Sequence, residues 1–393
     1  MADYLGGIFI EPIKIEIQTL TPIWTGDAEG KCTTIKDTAI IGSMRWWYEA
    51  IVRGMGGYAC DPTSEKKCQF DAKAYDEEYK RHLEANESKE VASKCALEAG
   101  LKEVCPACRL FGCTGWKRRF KLETFVDANQ IEFFNLATLD KKNSFNNWWL
   151  SSIFEKSIKS DHSNMTFGKF NLVITEFANS TNLSISSQVH SLLSIMSTIG
   201  SIGAKNQYGY GIFDFKDKKN IIDSLEELKL FLENINQIQE TGSTNFYSLD
   251  KFWCYEFTLA EDNKTVLRFK KANIIGKKSN SSQYIPVSFD IRYKLPGTEL
   301  GLRNMFLKKY GKQKTRQIFG TINNNEKIGS RIFVSHIFRK NNNAGYFLKI
   351  WGFTDEDIGN FIESKTKDMF GLSSHEVIRK DIELKDFFGG CKK

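Results

Sequence analysis

Cys60, Cys68, Cys105 and Cys108 lie in one polar, charged stretch of the sequence, and their spacing is typical of a metal site. Cys105 and Cys108 form a C-x-x-C pair, whose two thiolates can reach one ion from a tight turn. Four sulfurs would complete a tetrahedral structural zinc site and stabilise a segment too polar to fold alone. The alternative is reduced cysteines that only pack. Other candidate ligands nearby are Cys95, Cys113 and His82.

A second candidate is the stretch GSIGAKNQYGYG, residues 200–211, which holds four of the 29 glycines. A predicted helix precedes it, so the loop lies at a helix C-terminus, away from the positive end that phosphate loops use. If it binds a phosphate backbone, it must use backbone N–H groups and the side chains of Lys205, Asn206 and Gln207, with close approach at Gly203. The alternative is a helix C-cap followed by a turn.

Catalytic patterns are missing from the sequence, which contains no HExxH, GxSxG, GGDD or GxxxxGK[ST]. Metal-free RNA cleavage usually needs a histidine base, and no histidine lies on the first predicted helix or in the loop before it. The sequence therefore predicts a protein that is not an enzyme. The five histidines are scattered at His82, His162, His190, His336 and His375.

The chain has 393 residues and a net charge of +7, which fits two domains and a mildly basic protein suited to nucleic acid. Two basic runs stand out, KRRFK at 117–121 and LKKYGKQKTR at 307–316, although such a run is usually a solvated face. There is no long apolar span and no signal-peptide pattern at the start. We expect a cytoplasmic protein with no membrane contact, in which the nine cysteines stay reduced.

The elements that must position these residues follow an α+β pattern. Strands are predicted at 13–20, 118–126, 169–177 and 210–215, and helices at 41–52 and 187–199. The order is strand, helix, two strands, helix, strand, which fits a split β-α-β arrangement of the ferredoxin type.

The second half of the chain begins after a polar run near residue 240 and is predicted to be strand-rich. Both halves contain an apolar stretch that ends in Arg-aromatic (IIGSMRWWY and IPVSFDIRY), then a Phe-Gly step, then a strand. This indicates a degenerate internal duplication. We place one domain at 1–220, with a cysteine-rich insertion at about 57–104, and a second at 221–393.

Several of these motifs together resemble the RAMP superfamily of CRISPR-associated proteins. The motifs are GSMRWWYEAIVRG, CRLFGCTGW and GSIGAKNQYGYG. Within it, GGYACDPT, CPACRLFGCTGWKRRF and the late GxxGAKxxxGYG are similar to the first RAMP subunits of Cmr complexes, the type III-B effectors. The resemblance covers the first half, and the second half only through the weak repeat. These proteins usually carry Arg where Lys205 stands, so the charge is kept but bidentate phosphate geometry is lost.

The resemblance implies tandem ferredoxin-like (RRM-like) domains, with the zinc-binding insertion in the first. It also implies a non-catalytic RNA-binding subunit that holds the 3′ region of a CRISPR RNA and its complementary target RNA beside other Cmr subunits. Base pairing reads the sequence in such complexes, while protein holds backbone and shape. Phosphate contacts and base-stacking rings would then come from Arg45, Trp46, Arg53, Trp116, Lys117, Arg118, Arg119, Gly203, Lys205, Asn206 and Gln207.

Three alternatives stay open at this point. Trp46 could belong to the core beside Trp47, and Arg45 could form a simple helical ion pair with Glu49. The protein could be a RAMP endoribonuclease that processes CRISPR RNA precursor. It could also be a zinc-stabilised scaffold that binds only proteins.

Overall fold

A four-stranded and a six-stranded antiparallel sheet organise the protein. The computed structural model describes residues 11–25, 34–65, 67–134, 165–177, 184–233, 247–272, 283–285, 287–293, 301–323, 326–340 and 345–391. His162 and Cys32 lie outside these ranges.

The first half alternates strands and helices in the predicted order. Its strands are β1 (Ile13–Thr19), β2 (Phe120–Phe134), β3 (Met165–Glu176) and β4 (Phe213–Phe215). Its helices are α1 (Asp37–Gly54), α2 (Ala72–Glu84), α3 (Lys89–Gly100), α4 (Pro106–Phe111), α5 (Ile185–Ile199) and α6 (Ile221–Glu233), and a short 3₁₀ turn spans Asn206–Tyr208.

The first sheet has the strand order β2-β3-β1-β4, and each described neighbour pair is antiparallel. In β1, Ile15 and Ile17 are buried while Glu16 is exposed, so the alternation in the sequence marks the face that meets the core. The helical spacing in α1 likewise places Met44 and Trp47 in the core, at 0% and 1% exposure. The first and third strands of this half are therefore central, and β4 is brought beside β1.

β4 is shorter than the predicted strand at 210–215 because the chain before it is still turning. Gly211 has φ +87°, a left-handed conformation that interrupts an extended strand, and its carbonyl accepts the Ile202 N–H at 2.8 Å. The strand begins only at Phe213, where pairing with β1 starts.

The insertion predicted at 57–104 is only partly a surface feature. α2 has no buried residue, as expected for a polar segment. Cys60, Cys68, Leu101 and Val104, however, are at most 7% exposed and belong to the main core. The insertion therefore contributes to the core at these positions, because its cysteine-bearing ends fold back against the rest of the first half.

The second half contains more helix than its strand-rich pattern predicted. Its strands are β5 (Phe252–Leu259), β6 (Tyr284–Ile285), β7 (Thr321–Asn323), β8 (Glu326–Ile328), β9 (Ile332–Val334), β10 (Ile337–Phe338), β11 (Tyr346–Phe353) and β12 (Val377–Arg379). Its helices are α7 (Lys264–Ala272), α8 (Ser288–Tyr293), α9 (Leu302–Phe319), α10 (Glu356–Phe370) and α11 (Ile382–Cys391). The stretch IPVSFDIRY ends as helix α8, and the basic run at 307–316 lies in α9.

The second sheet has the order β12-β5-β11-β10-β6, with β9 also paired to β11. Its last strand lies beside its first strand, which lies beside the long central strand β11. The first sheet has the same arrangement, since β4 lies beside β1 and β1 beside β3. Both sheets are therefore built on one plan.

The two halves share a core at the C-terminal half of α1. The Trp46 and Trp47 rings lie 5.3 and 5.9 Å from Phe353, and Trp47 lies 6.1 Å from Phe252. Lys349 on β11 is buried and donates to the Ser197 carbonyl in the last turn of α5 at 3.1 Å. These contacts fix the second sheet against the first half. The boundary at 220/221 stays a prediction.

Among the described residues, no helix has the length and apolar character needed to cross a membrane.

Candidate metal centre and nucleic-acid interface

The predicted cysteines converge on one point. The sulfur atoms of Cys60, Cys68, Cys105 and Cys108 all lie within 4.8 Å of one another, and the Cys60 and Cys108 sulfurs are 3.4 Å apart. All four residues are buried. The helix α4 begins directly after Cys105, with Pro106 at its first position, so the C-x-x-C pair is held in a rigid turn.

This donor set fits a tetrahedral metal ion. Four sulfurs at about 2.3 Å from one ion lie about 3.8 Å from each other, close to the observed spacing. The Cys105 N–H donates to the Cys68 sulfur at 3.3 Å, a contact that orients a thiolate ligand. Hydrogen bonding of the Cys108 thiol to the sulfurs of Cys105, Cys60 and Cys68 raises the pKa of Cys108, so four thiolates need a cation to coexist here. Cys95, Cys113 and His82 lie outside this set of four.

Arg45 and Arg53 each have several protein partners. The Arg45 guanidinium donates to Glu49 at 2.9 Å, to the Gly112 carbonyl at 3.0 Å and to the Cys108 sulfur at 3.0 Å. Arg53 donates to the carbonyls of Tyr247 and Ala59 at 3.2 and 3.1 Å. These contacts tie α1 to the cysteine cluster and to the second half. They include the helical ion pair that the alternative gave for Arg45, and contact of either arginine with RNA stays a prediction.

Trp46 and Trp116 also pack within the protein. Trp46 lies among four rings, with Tyr247 and Phe353 at 5.0 and 5.3 Å. Trp116 stacks on Phe70 at 5.7 Å with an interplanar angle of 17°, and its indole N–H donates to the Arg109 carbonyl at 2.9 Å. These partners favour the core alternative over stacking on bases. Three of the four rings around Trp46, those of Tyr247, Phe333 and Phe353, lie more than 190 residues away in the chain, so no local signal could reveal them.

The glycine-rich loop is mostly buried and packs against other residues of the first half. A Cβ on Gly200 would lie 2.3 Å from the ring of Trp47, and one on Gly211 would lie 2.0 Å from the Ile202 carbonyl oxygen. Those two glycines are therefore required by close packing, which is a structural role beyond the C-cap and turn of the alternative. Gly203 donates its N–H to the Ser43 hydroxyl on α1 at 3.0 Å, so that amide is not available to a phosphate.

The surface of the loop is limited to residues 204–207. Lys205 adopts a left-handed conformation, φ 56° and ψ 33°, and its Nζ lies 3.4 Å from the centroid of the Trp24 ring. Burial lowers the pKa of Lys205 to about 8. The side-chain amide of Asn206 is oriented so that its nitrogen and its oxygen both have hydrogen-bond partners. Its nitrogen then donates to the Gly203 and Ala204 carbonyls, each at 3.2 Å. Gln207 is half-buried beside it. Lys205 is therefore the cation that this loop presents.

The basic segment after α4 is partly exposed. Lys117 is exposed, with its Nζ 4.4 Å from the Phe177 ring. Arg118 donates to the Phe120 carbonyl at 2.7 Å, and Arg119 lies 5.1 Å from the Trp116 ring. Burial lowers the pKa of both arginines, which nevertheless stay charged in water. The segment keeps three cations near the surface.

The N-terminal turns of α1 lie between the loop and the basic segment. Ser43 contacts Gly203 of the loop, and Arg45 contacts Gly112 just before the basic segment. Gly42 between them is exposed, and a Cβ added there would meet nothing within 4 Å. We give the name α1 face to Gly42 together with Lys205 of the loop and Lys117 of the basic segment, cations that belong to or follow the two segments that α1 contacts. It is open enough for a backbone to approach. Gly42 and Trp24 were not among the site residues predicted from the sequence, although GSMRWW shows an isolated glycine in a helix.

The described histidines belong to other segments of the chain, and one of them, His336, contacts the glycine-rich loop, where its N–H donates to the Gly209 carbonyl at 3.3 Å. His336 is 2% exposed, and burial lowers its pKa to about 3. His190 lies 5.5 Å from the Phe215 ring, and His82 contacts Glu78 and Glu87. In the part of the chain that is described, α1 and the glycine-rich loop carry no histidine.

Residues 16–214, just over half of the chain, match the family model of the RAMP superfamily, and the chain belongs to that superfamily. No curated protein matches it. Among solved structures it is similar to Cmr1 from Pyrococcus furiosus in the apo form, with TM-score 0.47 and 14% identity over 94% of this chain and 99% of that one. It is also similar to a chain of the type III-B Cmr-beta bound to cognate target RNA and AMPPnP in the presence of ssDNA, with TM-score 0.42 and 11% identity over 91% and 99%. A further match is to Cmr-beta bound to cognate target RNA, with TM-score 0.39 and 13% identity over 92% and 100%.

Proposed function

We propose that this RAMP protein is a non-catalytic RNA-binding subunit of a type III-B (Cmr) effector complex. In that role it would hold the 3′ region of a CRISPR RNA and its target RNA beside other Cmr subunits. The observation that carries the proposal is the α1 face, where an open helical glycine lies on the helix that contacts both the loop of Lys205 and the segment leading to the cations at 117–119. Cations around an open backbone surface suit phosphate contacts that do not depend on base sequence.

The same proposal includes the architecture. Each half would be a ferredoxin-like RAMP domain, one at 1–220 with the insertion at 57–104 and one at 221–393. The matching strand orders of the two sheets support this, because in both halves the last strand lies beside the first. The cysteine cluster would hold a structural zinc ion, since a closed set of four thiolates suits zinc and leaves no open position for chemistry.

The test is to express the chain with the other subunits of its complex and to ask what copurifies. We expect a processed small RNA and the other subunits to copurify with the wild-type chain. Lys205→Glu should lower the amount of RNA recovered per chain, because the α1 face loses its loop cation and gains a negative charge. Isolation of the chain without RNA or other subunits would reject the proposal.

The non-catalytic part of the proposal needs a separate assay. Precursor CRISPR RNA is incubated with the purified chain in EDTA, and the products are separated by size. We expect intact RNA, because the described part of α1 and its neighbouring loop offers no histidine base. Cleavage that a single histidine substitution abolishes would instead establish the endoribonuclease alternative.

A further inference from the structure

Helix α9 carries a dense group of unpaired cations in the second half. Within the nine residues 308–316 it holds Lys308, Lys309, Lys312, Lys314 and Arg316, and the four lysines are exposed. None of the five forms an ion pair with a described carboxylate, although many lysines elsewhere in the chain do. A concentration of like charge without counter-ions opposes folding and association unless an anion balances it.

The helix is kinked inside this group. Gly311 has φ 76° and ψ 172°, so α9 is two helical segments that meet at an angle. The Nζ atoms of Lys309 and Lys314 lie 5.1 and 4.7 Å from the centroid of the Tyr310 ring, one on each side of the kink. Tyr310 itself packs on Phe306 at 4.3 Å. The ammonium groups of Lys309 and Lys314 therefore lie close to the same ring, that of Tyr310 at the kink.

A groove of about 530 Å³ lies beside the kink. Its charged lining is Lys251 from the segment before β5, Lys314 from α9, Arg331 before β9 and one carboxylate, Asp355. The side-chain amides of Gln313 and Gln317 also line it. The groove thus carries three cations against one anion, on walls that come from different segments of the second half.

We propose that this groove, which we call the α9 groove, binds the phosphate backbone of a single-stranded RNA segment. The inference rests on the proposed RNA-binding function and extends it to the second half. Phe353 lines the groove, and its ring lies 5.3 Å from that of Trp46 on α1, so the α9 groove adjoins the helix that carries the α1 face.

An RNA partner fits these side chains better than a protein partner does. Lysine is depleted in the centre of protein interfaces, where aromatic residues and arginine are enriched. Here lysines and neutral amides line an open groove, and Tyr310 is occupied by protein contacts. Long, flexible ammonium groups along a groove are typical of binding to single strands without sequence preference.

The test measures the affinity of the full chain for a fluorescent single-stranded RNA oligonucleotide by anisotropy, at salt concentrations from about 50 to 500 mM. The variant is Lys251→Gln with Lys314→Gln. The matched control is Lys80→Gln with Lys94→Gln, two exposed lysines on α2 and α3 without a described ion pair. Circular dichroism and thermal unfolding check that every variant folds.

Two lost phosphate contacts should weaken binding about 15-fold at 0.15 M salt and reduce the salt slope by about 1.4, since each contact to a single strand contributes about 0.7. The control pair should bind like wild type. Wild-type affinity and slope in the Lys251/Lys314 variant would overturn the inference while the proposed function stands. If the Lys251/Lys314 variant keeps its RNA affinity but the other subunits no longer copurify with it, the groove is a protein interface and the inference is overturned. Absence of RNA binding by the wild-type chain would overturn both proposals.

Discussion

Lys205 offers a test in which pH changes one contact of the α1 face. Its ammonium group is half-buried against the Trp24 ring at 3.4 Å. Burial lowers the pKa to about 8, whereas the ring face favours the charged form. A lysine with a lowered pKa loses its charge as pH rises through that value. With a pKa of about 8, the side chain is about nine-tenths charged at pH 7 and about one-tenth charged at pH 9.

The expected change in RNA affinity follows from this titration. One phosphate contact to a single strand is worth about fourfold in affinity at 0.15 M salt. Weighted by the charged fractions, wild-type affinity should fall about threefold between pH 7 and pH 9. Lys205→Arg should show no such fall, because a guanidinium stays charged throughout. Lys205→Gln should also be flat and about fourfold weaker at pH 7.

The assay is fluorescence anisotropy with a labelled single-stranded RNA at fixed ionic strength, in half-unit steps from pH 6.5 to about 9.5. Other groups titrate in this range, including buried Lys349, whose pKa burial lowers to about 8. The comparison is therefore between wild type and Lys205→Arg, which share every other group. Parallel pH profiles for the two proteins would refute the assignment of Lys205 as an RNA contact.

Three further predictions concern stability. Removal of the metal by a chelator, or Cys105→Ser with Cys108→Ser, should lower Tm by about 5 °C. The reason is that an ion present at a thousandfold its Kd contributes about 4 kcal/mol to the free energy of unfolding. Elemental analysis should find no zinc in the double variant. Gly200→Ala should cost about 1–3 kcal/mol, because the new Cβ would overlap the Trp47 ring; urea unfolding measures this, and an unchanged midpoint would contradict the packing. Trp46→Ala should cost about 3 kcal/mol by the same method, and folded protein should keep its RNA affinity.

The sequence predicted the parts of the fold that depend on local pattern. β1 and α5 begin within two residues of their expected positions, and α1 extends beyond its expected range at both ends, because alternation and helical spacing state which face of each element is apolar. The four cysteines were found by spacing and composition, since a C-x-x-C pair needs only a tight turn to present both sulfurs.

The roles of Arg45 and Trp46 could not be read from the sequence. A guanidinium or an indole on a helix suits RNA as well as it suits protein, and the choice depends on what approaches from elsewhere in the chain. The carbonyl of Gly112 and the rings of Tyr247 and Phe353 provide those partners, from 67 to more than 300 residues away. The local sequence pattern does not predict contacts between such distant segments.

The weak repeat in the sequence corresponds to a repeated contact. Arg45 on α1 donates to the carbonyl of Gly112, and Arg292 on α8 donates to the carbonyl of Phe319 at 2.9 Å. Each acceptor belongs to a Phe-Gly pair at the end of a helix, α4 in the first half and α9 in the second. The two glycines have similar backbone angles, φ 90° and ψ 157° at Gly112 and φ 80° and ψ 163° at Gly320. The same arginine-to-step contact therefore stabilises both halves.

The two copies of this contact differ in the other hydrogen-bond acceptors of their arginines. Beyond the step, Arg45 donates to Glu49 and to the Cys108 sulfur, whereas Arg292 donates to the Ile332 carbonyl and the Ser330 hydroxyl, at 2.7 and 2.5 Å. The first copy therefore depends on the cysteine cluster, and the second is closed by protein groups alone. Loss of the metal should consequently loosen the step at Gly112 and leave its counterpart in the second half protected from amide hydrogen exchange. Equal loss of protection in both steps would mean that the metal stabilises the chain as a whole.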